Sequence, residues 1–183
     1  MPPGGDRRGS VRALATRERI EALLQALARV ATVPTTVYLV GGGTAVLVGW
    51  RESTRDVDLV IRPEDDALLR AIPALKEQLS LNIEFAAPDQ FIPVPPGWEE
   101  RSPMVAQWGL VTVRHYDLTA QALAKIERGH VRDLADVRAM LAAGLVTPEG
   151  LRTAFALAEP GLYRYPAVDP VSYRQALDAA ARP

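Results

Sequence analysis

The chain has 183 residues, of which 48% are hydrophobic, and this is enough for one globular domain with a modest helical appendage. The formal net charge of -1 argues against binding nucleic acid through whole-molecule attraction, although a local basic patch stays open. Because the sequence has no cysteine and only two histidines, it excludes disulfides, thiolate nucleophiles, Cys-based zinc sites and His-rich metal sites.

The elements predicted before the first acidic segment are a helix, a strand and a turn. Residues 1–10 are expected to be disordered, and apolar residues at helical spacing over 20–30 then predict an amphipathic helix. An apolar strand over 37–40 leads into Gly41–Gly43, interpreted as a sharp turn, and a helix opens at Thr44.

The middle of the sequence predicts two strands separated by a helix. Apolar and β-branched residues over 57–61 predict a buried strand, and Pro63 predicts the start of a helix. Residues 81–85 predict a further short strand. The Pro-rich residues 86–103 then predict a long loop.

The remainder predicts one strand and then helices only. A turn at Trp108 and Gly109 precedes a strand over 110–116, and Asp117 caps the first of several helices. The expected fold is therefore α/β (α+β), a small mixed sheet with flanking helices followed by a C-terminal helical part. We expect a catalytic core over residues 11–116, with residues 117–183 completing the site. Since no apolar run reaches membrane-spanning length and the N-terminus lacks a signal-peptide pattern, the sequence favours a cytoplasmic protein with no membrane partner.

Asp56 and Asp58 are the most informative pair of residues. On a strand, side chains at i and i+2 project from the same face, so the two carboxylates would lie side by side. Like-charge repulsion and desolvation then favour a hard divalent cation between them, and Mg²⁺ or Mn²⁺ prefers such oxygen ligands. The alternative to a metal site is that the two aspartates are simply strand-end acids that face solvent.

The glycines upstream of these acids suggest an anion site. Gly41 and Gly42 let backbone N–H groups approach a phosphate, and Thr44 at a helix start would add favourable potential. Neither the dinucleotide-binding nor the P-loop glycine motif is present. Arg51, Thr54 and Arg55 precede the acids and are candidate contacts to a phosphate or to the acceptor. The alternative for the two arginines is a solvated charge cluster.

The order of an apolar residue, Gly41, Gly42 and then Asp56-Val57-Asp58-Leu59 resembles the signature of the polymerase-β-like nucleotidyltransferase superfamily. The segments GWRESTRDVDLVI and ALAKIERGHVRDLADV resemble the small bacterial nucleotidyltransferases of the abortive-infection and MenT toxin type. The resemblance covers roughly residues 15 to 145.

This resemblance implies metal-dependent transfer of a nucleotidyl group from a nucleoside triphosphate to a hydroxyl. Asp56 and Asp58 would hold the metal, and a third carboxylate is expected on a neighbouring strand. Glu84 is the best candidate, and the rival acids at 64–66 fit the first turn of a helix better. Gly41, Gly42 and Thr44 would hold the distal phosphates.

The resemblance also implies a lysine and an acid from the helical part. Lys125 and Asp133 are the matching pair, with Arg132 and Asp136 at neighbouring matching positions. Asp133 and Asp136 share a helix face by their spacing, although Arg132 and Asp136 could instead form only a surface ion pair.

The acceptor stays open at this point. The resemblance implies RNA such as tRNA, and a toxin of a toxin–antitoxin system, by analogy alone. A protein acceptor, as in an AMPylating enzyme, differs only in which molecule presents the hydroxyl. The alternative from another class is a noncatalytic protein of the same fold that acts as a binding partner or antitoxin.

Overall fold

The computed structural model describes residues 13–182, so the expectation for residues 1–10 lies outside the described part of the chain. Within it there are eight α-helices and five strands: the first four helices are interspersed with the strands up to His115, and the last four follow. In chain order they are α1 (Arg17–Val30), β1 (Thr35–Val40), α2 (Gly41–Val48), β2 (Asp56–Arg62), α3 (Asp66–Gln78), β3 (Asn82–Phe85), α4 (Trp98–Arg101), β4 (Met104–Trp108), β5 (Val111–His115), α5 (Leu118–Arg128), α6 (Val131–Ala142), α7 (Pro148–Ala158) and α8 (Pro170–Ala180). Short 3-10 turns occupy Pro88–Gln90 and Glu159–Arg164.

The strands form one mixed sheet in the order β3-β2-β1-β5-β4. Strand β1 pairs antiparallel with β2 and parallel with β5, while β2 and β3 are parallel. The acid-bearing strand β2 therefore lies between β1, which leads into the glycines, and β3, which carries Glu84. The predicted α/β fold with a small mixed sheet and flanking helices is confirmed.

Alternation along β2 decides which side chains face the core. Val57, Leu59 and Ile61 are buried, and the residues between them are partly buried. The buried set packs with helix α1, α3 and the neighbouring strands into one apolar cluster. Because the period of a strand is two, the same alternation turns Asp56 and Asp58 to the opposite face.

Helices α5 to α8 pack around a second apolar cluster that is centred on Leu123, Ile126, Val137 and Phe155. Several of these helices begin with a side-chain cap, since Asp117 accepts from the Thr119 N–H, Thr147 from Gly150 and Asp169 from Ser172. The predicted C-terminal helical part is present, and Trp50 from the first half packs against its core.

Three sequence predictions need correction. Gly41–Gly43 form the first turn of α2 rather than a separate turn. Helix α3 starts at Asp66 rather than Pro63, because Asp65 caps it by accepting from the Ala67 N–H. Strand β4 was missed and includes Trp108, so the hairpin turn begins one residue later, at Gly109.

No helix of the described residues has the length and apolar character needed to cross a bilayer.

Candidate active site

Asp56 and Asp58 project from the same face of β2, as their spacing predicts. In the sheet register Asp58 lies opposite Val40 of β1 on one side and opposite Glu84 of β3 on the other. One place on the sheet thus brings together Asp56 and Asp58, the end of β1 and Glu84.

The glycines lie directly against this pair. Gly41 has a φ of +57°, and a Cβ atom there would lie 2.9 Å from Asp58 Oδ2. A Cβ atom on Gly42 would lie 2.0 Å from the Thr54 hydroxyl oxygen. Both glycines are therefore needed for the N-terminus of α2 to approach Asp58 and Thr54 this closely.

The electrostatic state of Asp58 reflects this crowding. Burial raises the pKa of Asp58, and the neighbouring Asp56 and Glu84 carboxylates raise it further, to about 6, against weaker opposing effects of Arg128 and Lys125. Desolvation and like charge both disfavour the ionised form. A bound cation would relieve both, so the carboxylate is suited to a positively charged ligand.

Asn82 links two of the three carboxylates. Its side-chain Nδ2 donates to Asp56 Oδ1 and to Glu84 Oε1, both at 2.7 Å. Within residues 13–182 no group of three or more His, Asp and Glu side chains converges as a ready-made metal site. The predicted set of Asp56, Asp58 and Glu84 is therefore not a preformed three-carboxylate centre.

A two-carboxylate site nevertheless fits the chemistry of Mg²⁺. This ion is usually held by one or two carboxylates together with substrate phosphates and water. Asp56 and Asp58 supply hard oxygen donors on one strand face, and burial, followed by the neighbouring Asp56 and Glu84 carboxylates, raises the pKa of Asp58. The donor set thus fits a divalent cation that arrives with a polyphosphate.

Gln121 of α5 fixes the glycine segment. Its Oε1 accepts from the Gly41 N–H at 2.8 Å, and its Nε2 donates to the Tyr116 carbonyl at 2.8 Å.

Thr44 belongs to the same buried network: its hydroxyl donates to the Leu39 carbonyl and lies within hydrogen-bonding distance of Gln121 and His115. Thr44 is fully buried and does not line the cavity, so the structure does not bring it to a phosphate position. Burial lowers the pKa of His115 to about 4, which leaves it neutral.

The second predicted cluster is a buried ionic network. Lys125 Nζ donates to Asp136 Oδ2 at 2.7 Å and to Asp133 Oδ1 at 3.2 Å, as the shared helix face of the two acids predicts. Arg128 also donates to Asp133. Although burial acts to raise the pKa of Asp133, the hydrogen bonds from Arg128 and Lys125 bring it below its usual range.

Arg51 joins this network from the first half of the chain. Its guanidinium donates to both carboxylate oxygens of Asp136, at 2.8 and 2.5 Å, and the Trp50 indole N–H donates to the same group at 3.1 Å. The alternative of an Arg132–Asp136 surface pair is wrong, because Asp136 is buried and its partners are Arg51, Lys125 and Trp50. Arg55 is exposed and lies outside the cavity lining.

A cavity of about 480 Å³ joins the two clusters. Its walls include most of the predicted site residues: Gly41, Gly42, Arg51, Thr54, Asp56, Asp58, Glu84, Lys125 and Asp133. Residues that sequence reasoning did not assign also line it, namely Gln121, Glu127, Arg128 and Phe91. Its volume is in the range of small-molecule sites.

The cavity residues that the sequence analysis did not assign differ in whether a local sequence pattern indicates them. Gln121 follows the predicted cap Asp117 by one helical turn, but its partner Gly41 is 80 positions away, so no local pattern reveals the bond. Asn82 is two residues before Glu84 and thus shares its strand face, so the spacing alone predicts that the two side chains are neighbours. Trp98, which lies in the segment predicted to be a long loop, stacks on Tyr116 with ring centroids 4.1 Å apart and so anchors that segment.

Comparison with protein families decides the broader assignment. The family described as "Nucleotidyltransferase of unknown function (DUF6036)" matches residues 15–165, which is most of the chain. The chain belongs to this family. The predicted nucleotidyltransferase superfamily is thereby confirmed, whereas the narrower abortive-infection and MenT toxin type stays a prediction.

Comparison with solved structures adds a distant similarity. An antigenic nucleotidyltransferase-like protein from Paracoccidioides brasiliensis is 15% identical, with a TM-score of 0.47 over 91% of this chain and 95% of that chain. No curated protein sequence matches this DUF6036 nucleotidyltransferase.

Proposed function

We propose that this protein transfers a nucleotidyl group from a nucleoside triphosphate to a hydroxyl of an RNA acceptor, with Mg²⁺ or Mn²⁺ as the metal. The hydroxyl oxygen bonds to the α-phosphorus, and the bond from the α-phosphorus to the β-phosphate oxygen breaks, so that pyrophosphate leaves. The observation that carries the proposal is the meeting of Asp58 with Gly41, whose Cβ position lies 2.9 Å from Asp58 Oδ2. A carboxylate against a glycine helix start can share a cation with a phosphate that the backbone holds. Membership of a nucleotidyltransferase family supports the reaction class.

The chain's residues take distinct roles around the triphosphate. Asp56 and Asp58 hold the cation, which when bound neutralises charge on the attacking and leaving oxygens. Gly42 offers an N–H from the first turn of α2, where intrahelical partners are lacking, while the Gly41 N–H is already used by Gln121. Thr54 lines the same wall and offers its hydroxyl.

Glu84 is the group proposed to accept the proton of the attacking hydroxyl. It lies across from Asp58 on β3, is exposed to the cavity, and one of its oxygens is oriented by Asn82. A carboxylate held within reach of a hydroxyl can position it and take its proton.

Lys125 completes the phosphate side. An ammonium group has three N–H donors, and two are directed at Asp133 and Asp136. The third remains for a phosphate oxygen in the cavity that Lys125 lines. Asp133, Asp136 and Arg51 thus act through Lys125, because they fix where its charge lies.

Cations at the cavity edge support a polyanionic acceptor. Arg132 is exposed, lines the cavity, and makes no hydrogen bond or ion pair with any residue of the described range. Arg128 and His130 lie beside it at the same edge. The unpaired charge of Arg132 favours the phosphates of RNA, including tRNA, even though the whole molecule is nearly neutral.

The test is incubation with each α-labelled nucleoside triphosphate, Mg²⁺ or Mn²⁺, and either total RNA or lysate protein. We expect label on RNA with the wild-type protein and none with Asp56→Asn or Asp58→Asn. Arg132→Ala should lower RNA labelling while leaving triphosphate binding intact. Label on protein would replace the RNA acceptor by a protein one, and no label with any nucleotide would contradict the enzyme.

A growth assay tests the proposed toxin role of the same activity. Modification of tRNA predicts that expression arrests growth and that Asp58→Asn relieves the arrest. Arrest that persists in a folded Asp56→Asn, Asp58→Asn double variant would instead favour a noncatalytic binding partner.

A further inference from the structure

The cavity extends beyond the residues to which the proposed function assigns the triphosphate. One wall there is the segment after β3, with Ala87, Pro88 and Phe91, and the facing wall is the last part of α5, with Ala124 and Glu127. From Gln121, which bonds the glycine segment, to Glu127 is six residues, or about 9 Å along the helix axis. This end therefore lies nearly two helical turns beyond the Gly41–Gln121 bond and just past Lys125 on the same helix.

Phe91 presents an aromatic face on a fixed backbone. Its ring is 49% exposed and lines the cavity, while the next residue, Ile92, is fully buried. The N–H groups of both residues donate to the Pro88 carbonyl at 3.0 Å, and the Tyr165 hydroxyl donates to the Asp89 carbonyl at 2.8 Å. Among the described residues the Phe91 ring forms no pair with another ring, unlike Trp98 and Tyr116.

Glu127 brings a carboxylate without a partner to the same end. Asp56, Glu84 and Asp133 accept hydrogen bonds from neighbouring side chains, whereas Glu127 accepts none from the described residues. It is partly buried. A partly desolvated acceptor of this kind discriminates strongly in favour of a ligand that offers an N–H.

We propose that Phe91 and Glu127 form a nucleobase subsite, in which the base stacks on Phe91 and its exocyclic amino group donates to Glu127. The inference rests on the proposed function, since the base belongs to the same triphosphate. Adenine and cytosine carry this amino group on C6 and C4, whereas guanine and uracil present a carbonyl oxygen at those positions. The subsite therefore disfavours uridine and guanosine nucleotides.

CTP and UTP are the most informative pair of probes, because CTP carries an amino group on C4 of the base where UTP carries a carbonyl oxygen. We expect Mg²⁺-CTP to bind about 10- to 100-fold more tightly than Mg²⁺-UTP in calorimetric titrations. Glu127→Gln should remove most of this ratio, because an amide can present either an acceptor or a donor to the base. Phe91→Ala should weaken both nucleotides by about 5- to 100-fold and keep the ratio.

Matched controls come from the same chain. Phe85 is 47% exposed, close to Phe91 in exposure, but does not line the cavity, so Phe85→Ala should leave both affinities unchanged. Glu149 is an exposed acid on α7, so Glu149→Gln should keep the CTP preference. Inorganic tripolyphosphate should bind equally to the wild-type protein and to Phe91→Ala.

Each outcome separates the two claims. Equal CTP and UTP affinity in the wild-type protein, or an unchanged affinity in Phe91→Ala, overturns the base subsite while the proposed transfer reaction stands. Failure of tripolyphosphate and of all four Mg²⁺-nucleotides to bind overturns both.

Discussion

The Thr54 hydroxyl oxygen lies only 2.0 Å from the point where a side chain on Gly42 would begin. The Thr54 Cβ atom is also within 2.7 Å of that point, so rotation of the hydroxyl alone cannot make room. Thr54 in turn is held to Ala15 by two backbone hydrogen bonds. The contact therefore joins the start of α2 to the segment that leads into the acidic strand.

Gly42→Ala should destabilise the protein for this reason. Overpacking a fixed contact costs about 1–3 kcal/mol, and we expect at least that loss in the free energy of unfolding measured by urea denaturation. Gly43→Ala in the same helix is the control, because its Cβ would meet only ordinary contacts at 3.4 and 3.6 Å. Equal stability of the two variants would contradict the close packing of Gly42 on Thr54.

Asp58→Asn should stabilise the unliganded protein at neutral pH while abolishing transfer. The pKa of Asp58 is raised to about 6, above the value of about 3.9 in an unfolded chain, so the unfolded state loses this proton first as pH rises. Native stability then falls between about pH 4 and 6 and stays lower above that window. The variant should gain about 1–3 kcal/mol at pH 7.5 and progressively less as pH falls toward 4.

Asp65→Asn provides a comparison of opposite sign. Hydrogen bonds from the Thr32 and Ala67 backbone lower the pKa of Asp65 to about 2, so its ionised form stabilises the native state above that pH. The substitution should destabilise the protein at pH 7, and the difference should shrink as pH falls through the unfolded value toward 2. Parallel pH profiles of the unfolding free energy for the two variants would contradict both assignments.

Asp136→Ala should be strongly destabilising. The change leaves Arg51, Lys125 and Trp50 without their shared acceptor, and removing one partner from a buried ionic network typically costs about 3–5 kcal/mol. The comparison is Glu21→Gln, whose ion pair with Arg17 is nearly half exposed and should contribute only tenths of a kcal/mol. A thermal or urea measurement that finds similar small losses for both would show that the network does not hold the two parts of the chain together.

Gln121→Leu should weaken both stability and phosphate binding. It leaves the Gly41 N–H and the Tyr116 carbonyl without this partner, which costs about 1–3 kcal/mol at the buried Tyr116 carbonyl and less at the partly buried Gly41 N–H. Gln121→Glu keeps an acceptor for Gly41 but places a carboxylate beside the proposed phosphate position, so like charge should lower its tripolyphosphate affinity well below that of the wild type. Wild-type tripolyphosphate affinity in both variants would contradict a phosphate position beside the Gly41–Gln121 bond.

The sequence predicts those parts of this site that follow from the spacing of residues close together in the chain. The period of two along β2 placed Asp56 and Asp58 on one face, and the spacing of Asp133 and Asp136 placed both beside one lysine. Helix caps such as Asp117 were equally local. These features depend on backbone geometry that a few neighbouring residues determine.

Partners distant in sequence were beyond such rules. The bond from Gly41 to Gln121 and the pairing of Arg51 with Asp136 span 80 and 85 positions, so only tertiary packing decides them. Thr44 illustrates the same point: its hydroxyl is turned to Leu39 within the buried network rather than to the cavity. Strand β4 was hidden because its side chains are mostly exposed and follow no clear alternation.

The most direct test of the central claim is a crystal structure with Mn²⁺ and a non-hydrolysable nucleoside triphosphate, using anomalous scattering to locate the metal. We predict a Mn²⁺ peak bound by the carboxylates of Asp56 and Asp58, with the triphosphate between that ion and the Gly42 backbone. A metal peak elsewhere, or a triphosphate bound away from Gly42 with both carboxylates uncoordinated, would contradict the account.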